Sequence, residues 1–250
     1  MTVLSVNLNK VALLRNQRDL DLPNVVRTGK ICLDAGAHGL TIHPRPDRRH
    51  ALARDAFDLS GLIKAASVQR PGLELNIEGN PVPEFLEVVY AVRPHQCTLV
   101  PDLPEARTSD EGWDVAKHGE QLRAIVAGLQ QHGIRVSIFM NPDIAQIERV
   151  PATGAERIEL YTEPYAQAWG SDRLEAMTRT YADAARSAQA LGLGVNAGHD
   201  LNLHNLAYFC RNVPNILEVS IGHAITADAL ELGWNAAVRA YVAALQESAR

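Results

Sequence analysis

Apolar residues recur along this 250-residue chain in short dense runs, separated by longer stretches in which they return at helical spacing. Eight β-like runs stand out, at residues 3–9, 39–43, 73–78, 96–101, 135–140, 157–161, 194–198 and 217–222. Most are rich in Val, Ile and Leu, the composition of strands buried on both faces. Between them Val82, Phe85, Leu86, Val89 and Val92 share one helix face, as do Leu122, Ile125, Val126 and Leu129, with Gly133 placed to end that second helix. Ser171 is placed to cap a helix running to about Leu191, with Gly192 after it. Trp234, Ala237, Val238, Tyr241 and Leu245 line a last helix. Gly36, Gly72, Gly133, Gly154 and Gly192 each stand shortly before a strand. This repeated helix–Gly–strand rhythm predicts an α/β fold closed as a parallel (β/α)8 barrel. An open doubly wound sheet is the alternative, but no GxGxxG follows the first run. No linker or low-complexity segment divides the chain, so residues 1–250 are read as one catalytic domain.

Composition narrows the function classes. Hydrophobic residues make up 46% and charged residues 21%, enough for a large core and against disorder. The net charge is −5 and no Lys/Arg-rich run occurs, so nucleic acid has no electrostatic claim on the chain, and an anionic substrate would have to be held by local groups. Cys32, Cys97 and Cys210 are odd in number and form no CxxC, as expected of buried free thiols in a reducing cytosol. The first residues lack a basic, apolar leader, and no apolar run approaches the ~18 residues of a spanning helix, so a cytoplasmic protein without a membrane partner is expected.

In a barrel, chemistry gathers where strands end. The first strand ends at Asn7 and Asn9 with Lys10 next, the second at His43 followed by Arg45 and His50, and the third at Glu78. The fourth is followed by Asp102 and Thr108, the fifth by Asn141, and the sixth carries Glu159. The seventh ends in Asn196-Ala-Gly-His199 and the eighth in Gly222-His223. Residues 16–23 and 102–113 are read as long loops directly after strands, on this same face. Four of the nine histidines fall on this rim, which points to acid–base work. Gly198, Gly222 and His223 sit where barrels commonly hold phosphate on backbone N–H groups and a helix N-terminus. Arg45, Arg48, Arg49 and His50 offer a second set of anion donors, although Arg48 and Arg49 read equally well as a solvated basic turn. Two anion sites flanking His and Glu suggest a pair of phosphorylated substrates.

The segments Asn7-Leu-Asn-Lys-Val-Ala-Leu-Leu-Arg15-Asn, Gly39-Leu-Thr-Ile-His43-Pro-Arg45-Pro-Asp-Arg-Arg-His50, Asn76-Ile-Glu78-Gly-Asn, Leu99-Val-Pro101, Val195-Asn-Ala-Gly-His199 and Ile221-Gly-His223-Ala-Ile resemble the pyridoxine 5′-phosphate synthase family, in order and over nearly the whole chain. The resemblance implies a TIM (β/α)8 barrel with a few extra helices, usually a homo-octamer, with no metal or organic cofactor. It also implies condensation of 3-amino-2-oxopropyl phosphate with 1-deoxy-D-xylulose 5-phosphate. Position by position, His43, Glu78 and His199 match the acid–base residues. Asn7, Arg18, Gly222 and His223 match positions that hold the aminoketone phosphate. Arg45, His50 and Thr108 match positions that hold the deoxyxylulose phosphate. Glu159 matches a motif acid and is kept as a further site candidate. The chain departs from the commoner family pattern at Asn9-Lys10, where that pattern has Asp-His, and at Asp200, where it has Gly. These three residues are therefore expected to reshape substrate binding.

Two rival readings remain open on the residues alone. A metal-dependent hydrolase or isomerase would use His43, Glu78, His199 and His223 as ligands, although the first strand lacks an HxH pair. A non-catalytic sugar-phosphate binder is motivated by Asn9, Lys10 and Asp200.

Overall fold

The computed structural model describes residues 1–102 and 109–248. Each of the eight apolar runs forms a strand: β1 (Val3–Asn7), β2 (Gly39–Ile42), β3 (Glu74–Gly79), β4 (Gln96–Leu99), β5 (Arg135–Met140), β6 (Arg157–Leu160), β7 (Gly194–His199) and β8 (Ile216–Ile221). All pair in parallel with their sequence neighbours, and β8 closes on β1, with Val3 opposite Glu218 and Val6 opposite Ile221. The barrel expected from the rhythm of the sequence is therefore the fold. The positive-φ turns at Gly36, Gly72, Gly133, Gly154 and Gly192 feed the strands, as their placement predicted.

Eleven α-helices surround the barrel among the described residues. Those in the usual βα positions are α2 (Val25–Asp34), α3 (Ala53–Ser67), α4 (Pro83–Val92), α5 (Val115–Gln130), the single-turn α6 (Ile144–Ile147), α8 (Leu174–Ala190), α9 (Leu206–Asn212) and α11 (Trp234–Ser248). Three are additional and directly follow strands: α1 (Asn9–Arg15), α7 (Glu163–Ala168) and α10 (His223–Leu232).

Three details depart from the sequence reading. Residues 16–23 do not leave β1 directly, because α1 intervenes. Ser171 does not cap α8, which starts after Arg173. Its hydroxyl instead donates to the Ala168 carbonyl at 2.7 Å, closing the turn out of α7. The third departure concerns the strands, which are apolar on one face only. Leu4, Val6, Leu40, Ile42, Leu75, Ile77, Val136, Ile138, Ile158, Leu160, Val195, Ala197, Val219 and Ile221 are buried in the large core against the helices. The alternate positions fill the lumen with polar groups. Ser5 and Thr41 share a hydrogen bond of 2.7 Å, and Thr98 Oγ1 lies 3.2 Å from Asn76 Oδ1 and 3.4 Å from Glu159 Oε2. At the N-terminal end Arg135 pairs with Glu74, and Arg157 reaches Asn196 Oδ1 at 3.2 Å. Near the other end the separate apolar cluster of Val100, Phe139 and Tyr161 lies over this polar interior. Many of these buried polar side chains pair with one another across the barrel, whereas Asn76 Nδ2, Ser137 Oγ and Ser220 Oγ have no hydrogen-bond partner among the described residues.

Candidate active site

The end of β1 sets the site. Asn7 is the last residue of β1, and its Nδ2 donates to Glu78 Oε1 at 2.8 Å. Its Oδ1 accepts from the Asn9 backbone N–H at 3.0 Å, which orients the second amide. Asn9 Oδ1 accepts from the His43 N–H at 2.8 Å, and Asn9 Nδ2 lies 3.5 Å from Glu78 Oε1. Two amides thereby lock the carboxylate of β3 to the backbone leaving β2. His43 Nδ1 is 4.0 Å from Glu78 Oε1.

A cavity of about 280 Å³ opens over this cluster. Asn7, Asn9, Lys10, His43, Arg45, His50, Glu78, His199, Asp200, Gly222 and His223 all line it. The three candidate acid–base residues thus meet in one place, although they come from three different strands. Burial is the main influence on each. It pushes Glu78 up to about 7, against the opposing hydrogen bond from Asn7 and with help from the Asp102 charge. It holds His43 well below the usual imidazole range, reinforced by His50 and Arg45, and lowers His199 to about 4 with the help of Lys10. His50 is likewise lowered to about 4, by burial and then by Arg45. Both sides of the Glu78 proton equilibrium are therefore populated near neutral pH, beside imidazoles that are neutral in the ligand-free chain.

On one side of Glu78 the segment after β2 folds inward. Arg45 is buried, and its Nη1 donates to Asp102 Oδ2 at 2.8 Å, which Ser109 Oγ also reaches at 2.9 Å. His50 lies near His43, with ring centroids 5.8 Å apart, and its Nδ1 accepts from the Ala51 N–H. On the other side Gly222 and His223 open α10 towards the cavity, with the unpaired N–H groups of a helix start. A Cβ on Gly222 would come within 3.1 Å of the Asn7 side chain, so glycine is what lets the strand end pass so close. The sequence places Gly198 where barrels commonly hold phosphate. It lies within β7, where a Cβ would meet the Ser220 carbonyl at 2.3 Å, so strand packing accounts for it.

Several candidates fall elsewhere. Arg18 is exposed in the turn after α1 and does not line the cavity. Arg48 and Arg49 do not line it either, and Arg49 pairs with Asp47. Thr108 lies outside the described residues, although its neighbour Ser109 lines the cavity. Glu159 is buried in the lumen and is absent from the cavity wall; burial and then the Glu78 charge hold its carboxyl well above the usual range. Among the described residues Ser109, Tyr161, Glu163 and Ser220, none of them a candidate from the sequence, also line the cavity. Tyr161 and Glu163 follow β6 directly, so the strand-end rule could have found them. Among the described residues, no group of three or more His, Cys, Asp or Glu side chains is arranged to hold a metal ion, and no helix is long and apolar enough to cross a membrane.

The barrel resembles the solved tryptophan synthase of Mycobacterium tuberculosis (TM-score 0.65, 13% identity, 98% of this chain and 92% of that one) and a native KDPGal structure (TM-score 0.61, 12% identity, 98% and 95%), likenesses that speak to the fold alone. The sequence is 49% identical over 246 residues to a pyridoxine 5′-phosphate synthase of Albidiferax ferrireducens, covering 96% of each chain. It is 48% identical over 245 residues to that of Parabacteroides distasonis, covering 98% of this chain and 99% of that one. The family described as pyridoxal phosphate biosynthesis protein PdxJ matches residues 4–247, and with relatives this close along nearly its whole length the chain belongs to that family.

Proposed function

We propose that this enzyme condenses 3-amino-2-oxopropyl phosphate with 1-deoxy-D-xylulose 5-phosphate to give pyridoxine 5′-phosphate, inorganic phosphate and water. The observation that carries the reading is the placement of Glu78 within 4.0 Å of His43, in a cavity shared with His199 and flanked by two sets of anion donors. Ring closure requires dehydration of a carbinolamine, loss of phosphate, an aldol-type closure and aromatisation. Each step moves protons, and a carboxyl group poised near 7 can give and take them repeatedly. Glu78 is assigned that repeated role. His43 serves the first proton transfers. His199 is the acid for the departing phosphate, whose bound negative charge would raise the proton affinity of the imidazole from its ligand-free value.

Arg45 and His50, with Thr108, are assigned to the deoxyxylulose phosphate. Gly222, His223 and Asn7 are assigned to the aminoketone phosphate, which the start of α10 suits. Arg18 is exposed, so a role for it in that subsite requires contact from outside the single chain's cavity. Asn9, Lys10 and Asp200, the positions where the chain departs from the commoner pattern, line the cavity and are assigned the reshaping of substrate binding. A homo-octamer working in the cytoplasm without metal or organic cofactor belongs to the same reading.

The test is to supply both phosphorylated substrates to purified protein and follow pyridoxine phosphate by absorbance, with metal analysis of the same preparation. Turnover is expected. Glu78→Gln should abolish it while leaving inorganic phosphate binding, measured by calorimetry, largely intact. Full activity in that variant would remove Glu78 from the mechanism. Stoichiometric zinc or manganese would favour a metal-dependent reaction instead, and binding without product would leave a sugar-phosphate-binding protein.

A further inference from the structure

The wall between β6 and β7 contains a feature that the acid–base assignments leave unused. Tyr161 follows β6 and Glu163 begins α7, two residues further on. The Tyr161 hydroxyl donates to Glu163 Oε2. The Tyr161 ring stands nearly perpendicular to the His199 imidazole, with centroids 6.2 Å apart and an interplanar angle of 82°. Phe139 packs on the same imidazole at 5.3 Å and on Tyr161 at 5.7 Å. The backbone beneath is tied as well. Tyr181 donates its hydroxyl to the Tyr161 carbonyl, and Thr162 donates to the Gly198 carbonyl, joining the residue before His199 to the residue after Tyr161. His199 itself has a left-handed backbone, with φ 60°, which a non-glycine residue adopts only where its surroundings hold it.

We infer that Tyr161 and Glu163 are positioning residues for His199: the Tyr161 ring, with Phe139, sets the plane of the imidazole, and the Tyr161 hydroxyl holds the Glu163 carboxylate where its charge acts on that ring. The inference rests on the acid role assigned to His199 above. Tyr161 suits the part. Burial, and then its bond to Glu163, hold the phenol above its usual range, so it remains the donor. The charged groups acting on His199 are Lys10 from α1, which disfavours the imidazolium, and Glu163 from α7, which favours it. His43 shares the cavity and feels the His199 charge, and Asp200 is next in the chain. Glu163 is thus the counterweight to Lys10. An acid that must donate a proton to departing phosphate gains from a carboxylate that favours its charged form, and from rings that stop it turning away.

The experiment uses the full chain. His199 is followed by ¹H–¹⁵N NMR through a pH titration, its signal assigned by its loss in His199→Asn. Glu163→Gln keeps an acceptor for Tyr161 and removes the charge, so the His199 pKa should fall by about one unit. In steady-state assays at neutral pH, Glu163→Gln and Tyr161→Phe should each lower kcat about tenfold with KM for both substrates within about twofold. The alkaline limb of kcat should move to lower pH in Glu163→Gln. An unchanged His199 pKa in Glu163→Gln would overturn the inference. So would a raised KM with kcat intact, since Glu163 would then be a substrate ligand. If the wild-type protein made no pyridoxine phosphate, the activity reading would fall, and the His199 titration would still decide whether the brace exists.

Discussion

Asn9 shows how much one atom can matter here. Its Oδ1 holds the His43 N–H at 2.8 Å, and its Nδ2 lies 3.5 Å from Glu78 Oε1. Asn9→Asp would keep the acceptor for His43 and set a second carboxylate oxygen beside a carboxyl group that burial has already pushed to about 7. Like charges at that range favour the protonated form, so Glu78 should titrate higher still. With Glu78 as the base, the ascending limb of the kcat/KM profile should shift to higher pH by about one unit. A limb that stays in place or moves down in Asn9→Asp would count against Glu78 as the group seen in that profile. The same scale shows what could be read in advance. His43, Glu78 and His199 were legible because a strand end in a barrel fixes where a side chain goes. Arg18 was not, because its place depends on α1, a helix concealed in what looked like a strand end followed by a loop. Tyr161 and Glu163 owe their importance to a ring contact and a hydrogen bond, neither of which has a spacing signature.

Helix α1 also ties two parts of the rim together. Arg15 at its end pairs with Asp55 in the first turn of α3 at 2.5 Å, with both side chains almost fully buried. The other Asp55 oxygen accepts from the Leu52 N–H at 2.8 Å. Asn16 then donates to the carbonyls of Arg48, Arg49 and His50 at 3.1, 3.3 and 2.8 Å, so the loop that carries Arg45 and His50 is fastened from below. Removing one partner of a buried ion pair strands the other charge. Asp55→Ala should therefore cost about 3–5 kcal/mol, read as a fall in the denaturant midpoint at unchanged m-value. A loss below about 1 kcal/mol would mean that water reaches Arg15. Element positions were legible at this scale because the glycine rhythm and the apolar runs mark them independently. Glu74, Asn76 and Glu78 alternate with Leu75 and Ile77, yet the Val, Ile and Leu content suggested two apolar faces. A parallel barrel presents one face of each strand to helices, and that requirement alone makes the runs apolar. The other face answers to the lumen, whose polarity becomes evident only when all eight strands are set side by side.

Across the whole molecule, the buried groups of the cavity and of the lumen should shape the dependence of stability on pH. His50 and His199 are lowered to about 4, and His43 is also lowered, so the unfolded chain takes up protons below about pH 6.5 that the folded chain does not. Stability contributed by keeping these rings neutral is lost as pH falls from about 6.5 towards 4. Glu159 acts in the opposite direction. Burial and the charges of Glu78 and Glu218 raise its carboxyl group well above the usual carboxylate range. The folded chain then keeps a proton that the unfolded chain releases above about pH 4.5, so unfolding releases a proton and rising pH favours it. The limiting slope is about 1.4 kcal/mol per pH unit for one proton. Glu159→Gln replaces that group with a neutral amide of the same shape and removes this slope. Denaturant midpoints of wild type and Glu159→Gln should therefore be similar near pH 4 and diverge as pH rises, with the variant the more stable at pH 8. A gap that closes between pH 4 and pH 8, or a variant that is less stable throughout, would mean that Glu159 is ionised in the folded barrel and held by a partner, so that its carboxylate stabilises the lumen instead of burdening it.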